Sequence, residues 1–185
     1  MTGHSIPNSI TLLRILLVAP LVVALGGGDY GLAFSLFVVA GVSDAVDGYL
    51  AKRFGWESRL GAVLDPLADK LLMVASYLML LWLGHLPLWL VAVVIGRDGV
   101  ILLGAAAYRL LFGTIEMAPR LASKANTFLQ IVLVAVVLLA LCCYPLPTGL
   151  QTVLMLAVLV FSLWSGLEYV LVWARYALRS GKGAA

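Results

Sequence analysis

Six apolar runs divide the chain, and each is long enough to cross the hydrocarbon core of a bilayer as an α-helix. Hydrophobic residues make up 63% of the sequence and charged residues only 11%, against about a quarter in an ordinary soluble domain. Because so much apolar surface needs lipid as its solvent, we expect an all-α integral membrane fold with six transmembrane helices in one domain over residues 1–185. The predicted helices cover residues 8–27, 31–53, 60–83, 87–111, 121–144 and 149–174.

The basic residues predict how this bundle lies in a membrane. In the six-helix arrangement all twelve fall near one side, and the joins on the other side contain Asp29 but no Lys or Arg. By the positive-inside rule both termini face the cytoplasm, with Trp82, Trp89, Tyr30 and Tyr144 as anchors at the far interface. We therefore expect a multi-pass protein of a bacterial inner membrane, with anionic lipids and not nucleic acid as its neighbours. The twelve basic residues are Arg14, Lys52, Arg53, Arg59, Lys70, Arg97, Arg109, Arg120, Lys124, Arg175, Arg179 and Lys182.

Four aspartates lie within the second and third apolar runs. With about 100° of rotation per residue, Asp44 and Asp47 share one face of the second helix. Asp65 and Asp69 share one face of the third, because they are four residues apart. A short connection joins the two helices, so we expect antiparallel neighbours whose acidic faces point into one cleft. Small residues on the same faces leave room for a bulky polar ligand, and these are Gly48, Ala51 and Gly61.

Four carboxylates in a low-dielectric setting need a compensating positive charge. Hard oxygen donors without a Cys or His cluster favour Mg²⁺ or Mn²⁺ and argue against zinc. Two divalent ions would neutralise four acids, and a pair of metal ions is a known clamp for a phosphoryl group. The pattern therefore predicts a metal centre of two ions on Asp44, Asp47, Asp65 and Asp69.

Two other interpretations compete with a metal centre. Lys52, Arg53 or Lys70 could pair with one or two of the acids for structural reasons alone. An ion or proton pathway also uses intramembrane acids, but it favours acids near the membrane midplane. Asp47 lies only about 9 Å along a helix from Arg53, which indicates a site at the cytoplasmic edge.

The acidic pattern resembles the signature of the CDP-alcohol phosphatidyltransferase family. It reads Asp44-x-x-Asp47-Gly48-x-x-Ala51-Lys52, then eight residues, then Gly61-x-x-x-Asp65-x-x-x-Asp69. The family usually has Arg after the Ala, whereas Lys52 keeps the positive charge for a phosphate and loses the bidentate fork. The segment from Ile6 to Arg14 also looks like the family's N-terminal segment, so the resemblance covers most of the chain.

The resemblance implies a reaction and a role for each acid. A phosphatidyl group would pass from CDP-diacylglycerol to an alcohol, with release of CMP, in phospholipid biosynthesis. Asp44, Asp47 and Asp65 would hold metal on the CDP pyrophosphate. Asp69 would take the proton from the acceptor hydroxyl and also touch metal. The resemblance further implies a homodimer.

A second set of residues is expected to contact the CDP-lipid. For Asn8 and Thr11 the sequence leaves two alternatives open, because a helix cap or an interfacial hydrogen bond explains either residue as well as a nucleotide contact does. The whole set is Gly48, Ala51, Lys52, Gly61, Asn8 and Thr11.

The acceptor alcohol is predicted from shorter matches. Residues 95–98 and 123–130 look most like the cardiolipin synthases of this family, whose acceptor is phosphatidylglycerol. The alternative is glycerol 3-phosphate, the acceptor of phosphatidylglycerophosphate synthases. Arg97, Arg120 and Lys124 are the candidates for binding the phosphate that both acceptors carry. Each could instead be an ordinary positive-inside residue.

Overall fold

The computed structural model describes residues 5–54, 61–112 and 121–181. Over these residues the backbone forms six α-helices and no strand, as the predicted all-α fold requires. The helix bounds lie within three residues of the predicted ones, except that the last helix continues for seven residues more. The helices are α1 (Ser5–Gly26), α2 (Tyr30–Phe54), α3 (Gly61–Trp82), α4 (Leu88–Phe112), α5 (Leu121–Cys142) and α6 (Thr148–Gly181).

Two of the helices are long and apolar enough to cross a membrane. These spans are Ala122–Cys142 in α5 and Gly149–Val170 in α6, and only 33% and 17% of them is buried inside the protein. A core helix of a soluble protein would be mostly buried, so the low burial favours lipid around them. Shorter apolar stretches are Thr11–Gly26 and Tyr30–Val46. Charged residues interrupt the apolar runs of α2, α3 and α4, so the predicted six spans are not established for the described residues.

One face of α6 is exposed and apolar between residues 153 and 167. Its large side chains recur every three or four residues and are about half exposed or more. An exposed apolar stripe of this length is unusual on a soluble monomer and is typical of a surface that meets lipid or another protein. The stripe consists of Val153, Leu156, Val160, Leu163 and Leu167.

The described residues group into two units, and the first contains α1, α2 and α3. Unit 1 comprises Met1–Leu86 and Val134–Leu146. Within it α1 packs against both α2 and α3. Thr11 of α1 contacts Asp65 of α3, and Arg14, further along α1, contacts Asp69, further along α3, so these two helices run parallel. At its other end, Gly26 of α1 lies against Met79 near the end of α3.

Glycines in the left-handed conformation end two helices of unit 1. Gly28 follows α1 with a φ of 76°, and Gly84 follows α3 with a φ of 77°. Only glycine adopts this conformation without steric cost, which explains why both turns use it. Asp29 then caps α2 through a hydrogen bond from the Leu32 amide to its Oδ1 at 3.0 Å.

Unit 2 contains α4, α6 and the first part of α5. It comprises Pro87–Leu133 and Pro147–Ala185, and α4 packs against α6 within it. Leu90 and Val94 of α4 and Val158 of α6 are buried in its core. Several polar side chains are buried in this unit too, and they form the cluster described below.

Candidate active site

A buried arginine of α1 joins acids from two other helices. Nη2 of Arg14 donates to Oδ1 of Asp44 and Nη1 donates to Oδ1 of Asp69, both at 2.6 Å. Asp44 lies towards the end of α2 and Asp69 towards the start of α3, so one guanidinium links the two acidic helices. Hydrogen bonds between ionised groups at this distance are strong. The Arg14 side chain is 1% exposed, whereas those of Asp44 and Asp69 are 41% and 50% exposed. A ligand can therefore reach the acids but not the arginine.

The third described acid meets the same part of α1. The buried hydroxyl of Thr11 donates a hydrogen bond to Oδ1 of Asp65. Thr11 and Arg14 are three residues apart on α1, and Asp65 and Asp69 are four apart on α3. Each pair therefore shares one helix face, and α1 offers a polar partner to each acid of α3.

The predicted shared face of Asp65 and Asp69 is confirmed, since both contact α1. Between them, α1 packs against both acidic helices; the direct packing of the second helix on the third stays a prediction. Through Thr11 and Arg14, α1 supplies polar partners for acids of both helices.

Several predicted site residues are not described by the structure at side-chain level. Thr11, predicted to contact the CDP-lipid, lies against Asp65 beside the acids. Gly48 is exposed, and a methyl group added there would meet nothing within 4 Å, so it leaves open space beside α2. Arg120 lies outside the described residues. For five other predicted site residues the structure describes only the backbone, and these are Asn8, Asp47, Ala51, Lys52 and Gly61.

Within residues 5–54, 61–112 and 121–181, no three acidic, His or Cys side chains come close enough together to hold one metal ion. The donor set still fits a hard divalent cation, because carboxylate oxygens are the ligands that Mg²⁺ and Mn²⁺ prefer. Asp44 and Asp69 already share one cationic group at 2.6 Å and are both partly exposed. The arrangement can therefore present two carboxylates to a cation that arrives from outside.

Arg97 is the centre of a second polar cluster, which lies within unit 2. Its Nη1 donates to Oδ1 of Asp98 at 2.7 Å, and its Nη2 donates to the hydroxyls of Ser123 and Ser165 at 2.6 Å each. These residues belong to α4, α5 and α6, so one buried side chain links three helices. A buried guanidinium with three oxygen partners is held in one orientation.

The other predicted acceptor residues lie around this cluster or outside the described part. Lys124 is exposed on α5, next to Ser123. Two residues further along, Asn126 is buried and its Oδ1 accepts a hydrogen bond from the Ser162 hydroxyl at 2.9 Å. Polar side chains thus tie α5 to α6 at two positions.

Among the members of these sites that were not predicted from the sequence as site residues are Arg14 and Ser165. Arg14 was counted among the topology residues and in the segment that resembles the family's N-terminal segment, but it was given no role at the site, although an ionisable group inside an apolar run is a functional candidate by default. The position of Arg14 inside an apolar run was therefore the signal that could have identified it as a site residue. Ser165 gave no signal, because small hydroxyl residues are common in membrane helices for packing alone.

Comparison with known proteins gives the family. The family model described as CDP-alcohol phosphatidyltransferase matches residues 4–175. The chain is 34% identical over 153 residues to Cardiolipin synthase (CMP-forming) of Homo sapiens, covering 74% of this chain and 50% of that protein. It is 34% identical over 151 residues to CDP-diacylglycerol--glycerol-3-phosphate 3-phosphatidyltransferase of Bacillus subtilis, covering 73% of this chain and 77% of that protein.

A third relative is Probable cardiolipin synthase (CMP-forming) of Drosophila melanogaster, which is 35% identical over 144 residues. The matched part is 69% of this chain and 44% of that protein, so the chain spans about half the length of the cardiolipin synthases from Drosophila and human. The family match, in contrast, extends over nearly all of this chain and includes both units. The acidic pattern, the all-helical fold and this match lead to one conclusion: the chain belongs to the CDP-alcohol phosphatidyltransferase family.

Proposed function

We propose that this protein transfers a phosphatidyl group from CDP-diacylglycerol to an alcohol and releases CMP, with Mg²⁺ or Mn²⁺ bound at its acids. Family membership supports the reaction class. The observation that carries the site is the meeting of Asp44 and Asp69, from different helices, on one guanidinium at 2.6 Å. Two partly exposed carboxylates that share one guanidinium in an apolar helical setting are suited to a pyrophosphate held through cations.

Four aspartates would hold the metal. Asp44, Asp47 and Asp65 would bind it on the side of the CDP pyrophosphate, and Asp69 on the side of the acceptor. When bound, two divalent ions would supply positive charge to the pyrophosphate and to the phosphate oxygen that leaves with CMP. Thr11 would hold Asp65 in place by its hydrogen bond to Oδ1.

Asp69 would act as the general base. Arg14 binds its Oδ1, so Oδ2 is the oxygen expected to take the proton from the acceptor hydroxyl. The acceptor oxygen would then form a bond to the phosphorus that carries diacylglycerol, and the bond from that phosphorus to the CMP oxygen would break. The electron pair of the broken bond would leave with CMP.

Phosphatidylglycerol is the proposed acceptor. Arg97, Arg120 and Lys124 would bind its phosphate, and the geometry around Arg97 supports a lipid. A cavity of about 330 Å³ lies between α4 and α6, and Arg97 lines it together with apolar residues such as Val100, Leu163 and Leu167. An acyl chain fits such a lining, whereas glycerol 3-phosphate has none to place there. The alternative acceptor is favoured by the Bacillus relative, whose name specifies glycerol 3-phosphate.

We further propose a multi-pass protein with both termini and the acidic site on the cytoplasmic side of a bacterial inner membrane. Besides the two long apolar helices, the exposed apolar face of α6 supports a lipid surround. Two copies of the chain would form the working assembly.

CMP release tests the reaction and the acceptor together. Purified protein in lipid nanodiscs would receive CDP-diacylglycerol, Mg²⁺ or Mn²⁺, and either phosphatidylglycerol or glycerol 3-phosphate. Metal-dependent CMP release with phosphatidylglycerol supports the full proposal. CMP release with glycerol 3-phosphate alone would make glycerol 3-phosphate the acceptor. The absence of CMP release with any alcohol would overturn the proposed reaction.

A further inference from the structure

Arg14 binds the same carboxylates that the proposed metal centre would use. Its side chain is 1% exposed, and it donates to Oδ1 of Asp44 and Oδ1 of Asp69 at 2.6 Å each. A guanidinium with two carboxylate partners forms some of the strongest side-chain hydrogen bonds in proteins. An arriving cation therefore meets acids that already have a positively charged partner.

Two physical effects make Arg14 oppose a divalent cation. The first is competition for the same oxygen atoms, because a carboxylate oxygen that accepts a short hydrogen bond is a weaker metal ligand. The second concerns charge, because a fixed guanidinium a few ångströms from the site repels any cation there, and little water screens a buried group. A favourable effect acts in the other direction, since Arg14 also keeps Asp44 and Asp69 close together.

We infer that Arg14 is an internal competitor that sets the affinity of the acidic site for divalent metal, and that metal binding loosens its hold on Asp44 and Asp69. This inference rests on the proposed metal site. It goes beyond that proposal by giving a positioning role to a residue of α1 that is not itself a ligand. At low metal concentration Arg14 keeps its hydrogen bonds to Asp44 and Asp69. At high metal concentration the metal displaces Arg14 from them.

The competition predicts that removing Arg14 tightens metal binding. Mn²⁺ would be titrated into the purified, chelator-treated protein in nanodiscs, and bound metal measured by electron paramagnetic resonance. Arg14→Gln removes the charge and should tighten Mn²⁺ binding by about 5- to 150-fold, the usual range of coupling between two binding events. Arg14→Lys keeps the charge, loses the fork and should lie between Arg14→Gln and the wild type.

Arg53→Gln is the matched control for loss of one positive charge. Arg53 is exposed, donates to the Tyr49 hydroxyl at 2.7 Å, and lies nine residues beyond Asp44 on α2. That spacing is about 13.5 Å along a helix, and Asp47, six residues from Arg53, is about 9 Å away. Both distances exceed the screening length of about 8 Å at physiological salt. Mn²⁺ affinity should therefore change by less than about twofold in this variant.

The outcomes distinguish failure of the proposed metal site from failure of the proposed competition by Arg14. If the wild type binds no Mn²⁺, the proposed metal site fails and this inference fails with it. If the wild type binds Mn²⁺ but Arg14→Gln binds it equally or more weakly, or Arg53→Gln tightens it as much, only the competition is overturned. Should Arg14→Gln not fold, Arg14→Lys decides alone: tighter binding supports the competition, and equal or weaker binding overturns it.

Discussion

Individual side chains carry most of the proposed chemistry, and they come from few positions. In unit 1, α1 contributes Thr11 and Arg14, which hold three acids from two helices. In unit 2, Arg97 binds oxygen atoms on three helices. A membrane protein concentrates its polar groups in this way because each one must find a partner away from water.

Replacing the proposed base separates chemistry from binding. We expect Asp69→Asn to lower the rate of CMP release by about 10² to 10⁴-fold or more, because an amide cannot accept the proton. Binding of CDP-diacylglycerol, measured by equilibrium titration, should remain detectable. Asp29→Asn is the control, since Asn caps a helix about as well as Asp does at that position. Full activity in Asp69→Asn would remove Asp69 from the role of base.

The cluster around Arg97 should matter for stability as well as for the acceptor. Arg97→Ala leaves Asp98, a buried acid, without its guanidinium, and we expect a loss of about 3–5 kcal/mol in the free energy of unfolding. Arg53→Ala, at an exposed position, should lose less than about 1 kcal/mol. Denaturant titration in one detergent compares the two. Equal losses would show that the Arg97 cluster does not hold α4, α5 and α6 together.

At the level of helices, the sequence predicted the number and position of elements well and their neighbours less well. Helix bounds were predictable because apolar runs, glycine turns and prolines are local signals. The packing of α1 against both α2 and α3 was not, because a short connection suggests sequential neighbours and does not exclude a third helix. The role of Arg14 depends on that packing. That role was therefore missed, because the positive charge of Arg14 already had a topological explanation.

Two glycines of unit 1 give stability predictions of opposite sign. Gly84→Ala places a methyl group on a residue with a φ of 77° and should destabilise unit 1 by about 1–2 kcal/mol. Gly41→Ala lies inside α2 with nothing within 4 Å of the added carbon, and should stabilise it by about 0.5–1 kcal/mol. Thermal unfolding of both variants in the same detergent checks the signs. A stabilised Gly84→Ala protein would contradict the left-handed turn.

For the whole molecule, the proposed orientation places the end of α5 on the face opposite the acids. Cys143 is exposed just after α5 and next to Tyr144, one of the expected interface anchors. A membrane-impermeant maleimide should therefore label it in intact bacterial spheroplasts and not in inside-out vesicles. Replacing both cysteines by serine gives the background. Labelling only in inside-out vesicles would invert the topology and move the acidic site away from the cytoplasm.

Through Thr11 and Arg14, α1 positions the acids in addition to any function as a membrane helix. Sliding this helix along its axis by one turn, about 5.4 Å, would take the hydroxyl and the guanidinium out of reach of the three aspartates. A change that shifts α1 along its axis would thus disturb the proposed acidic site directly, without altering any aspartate.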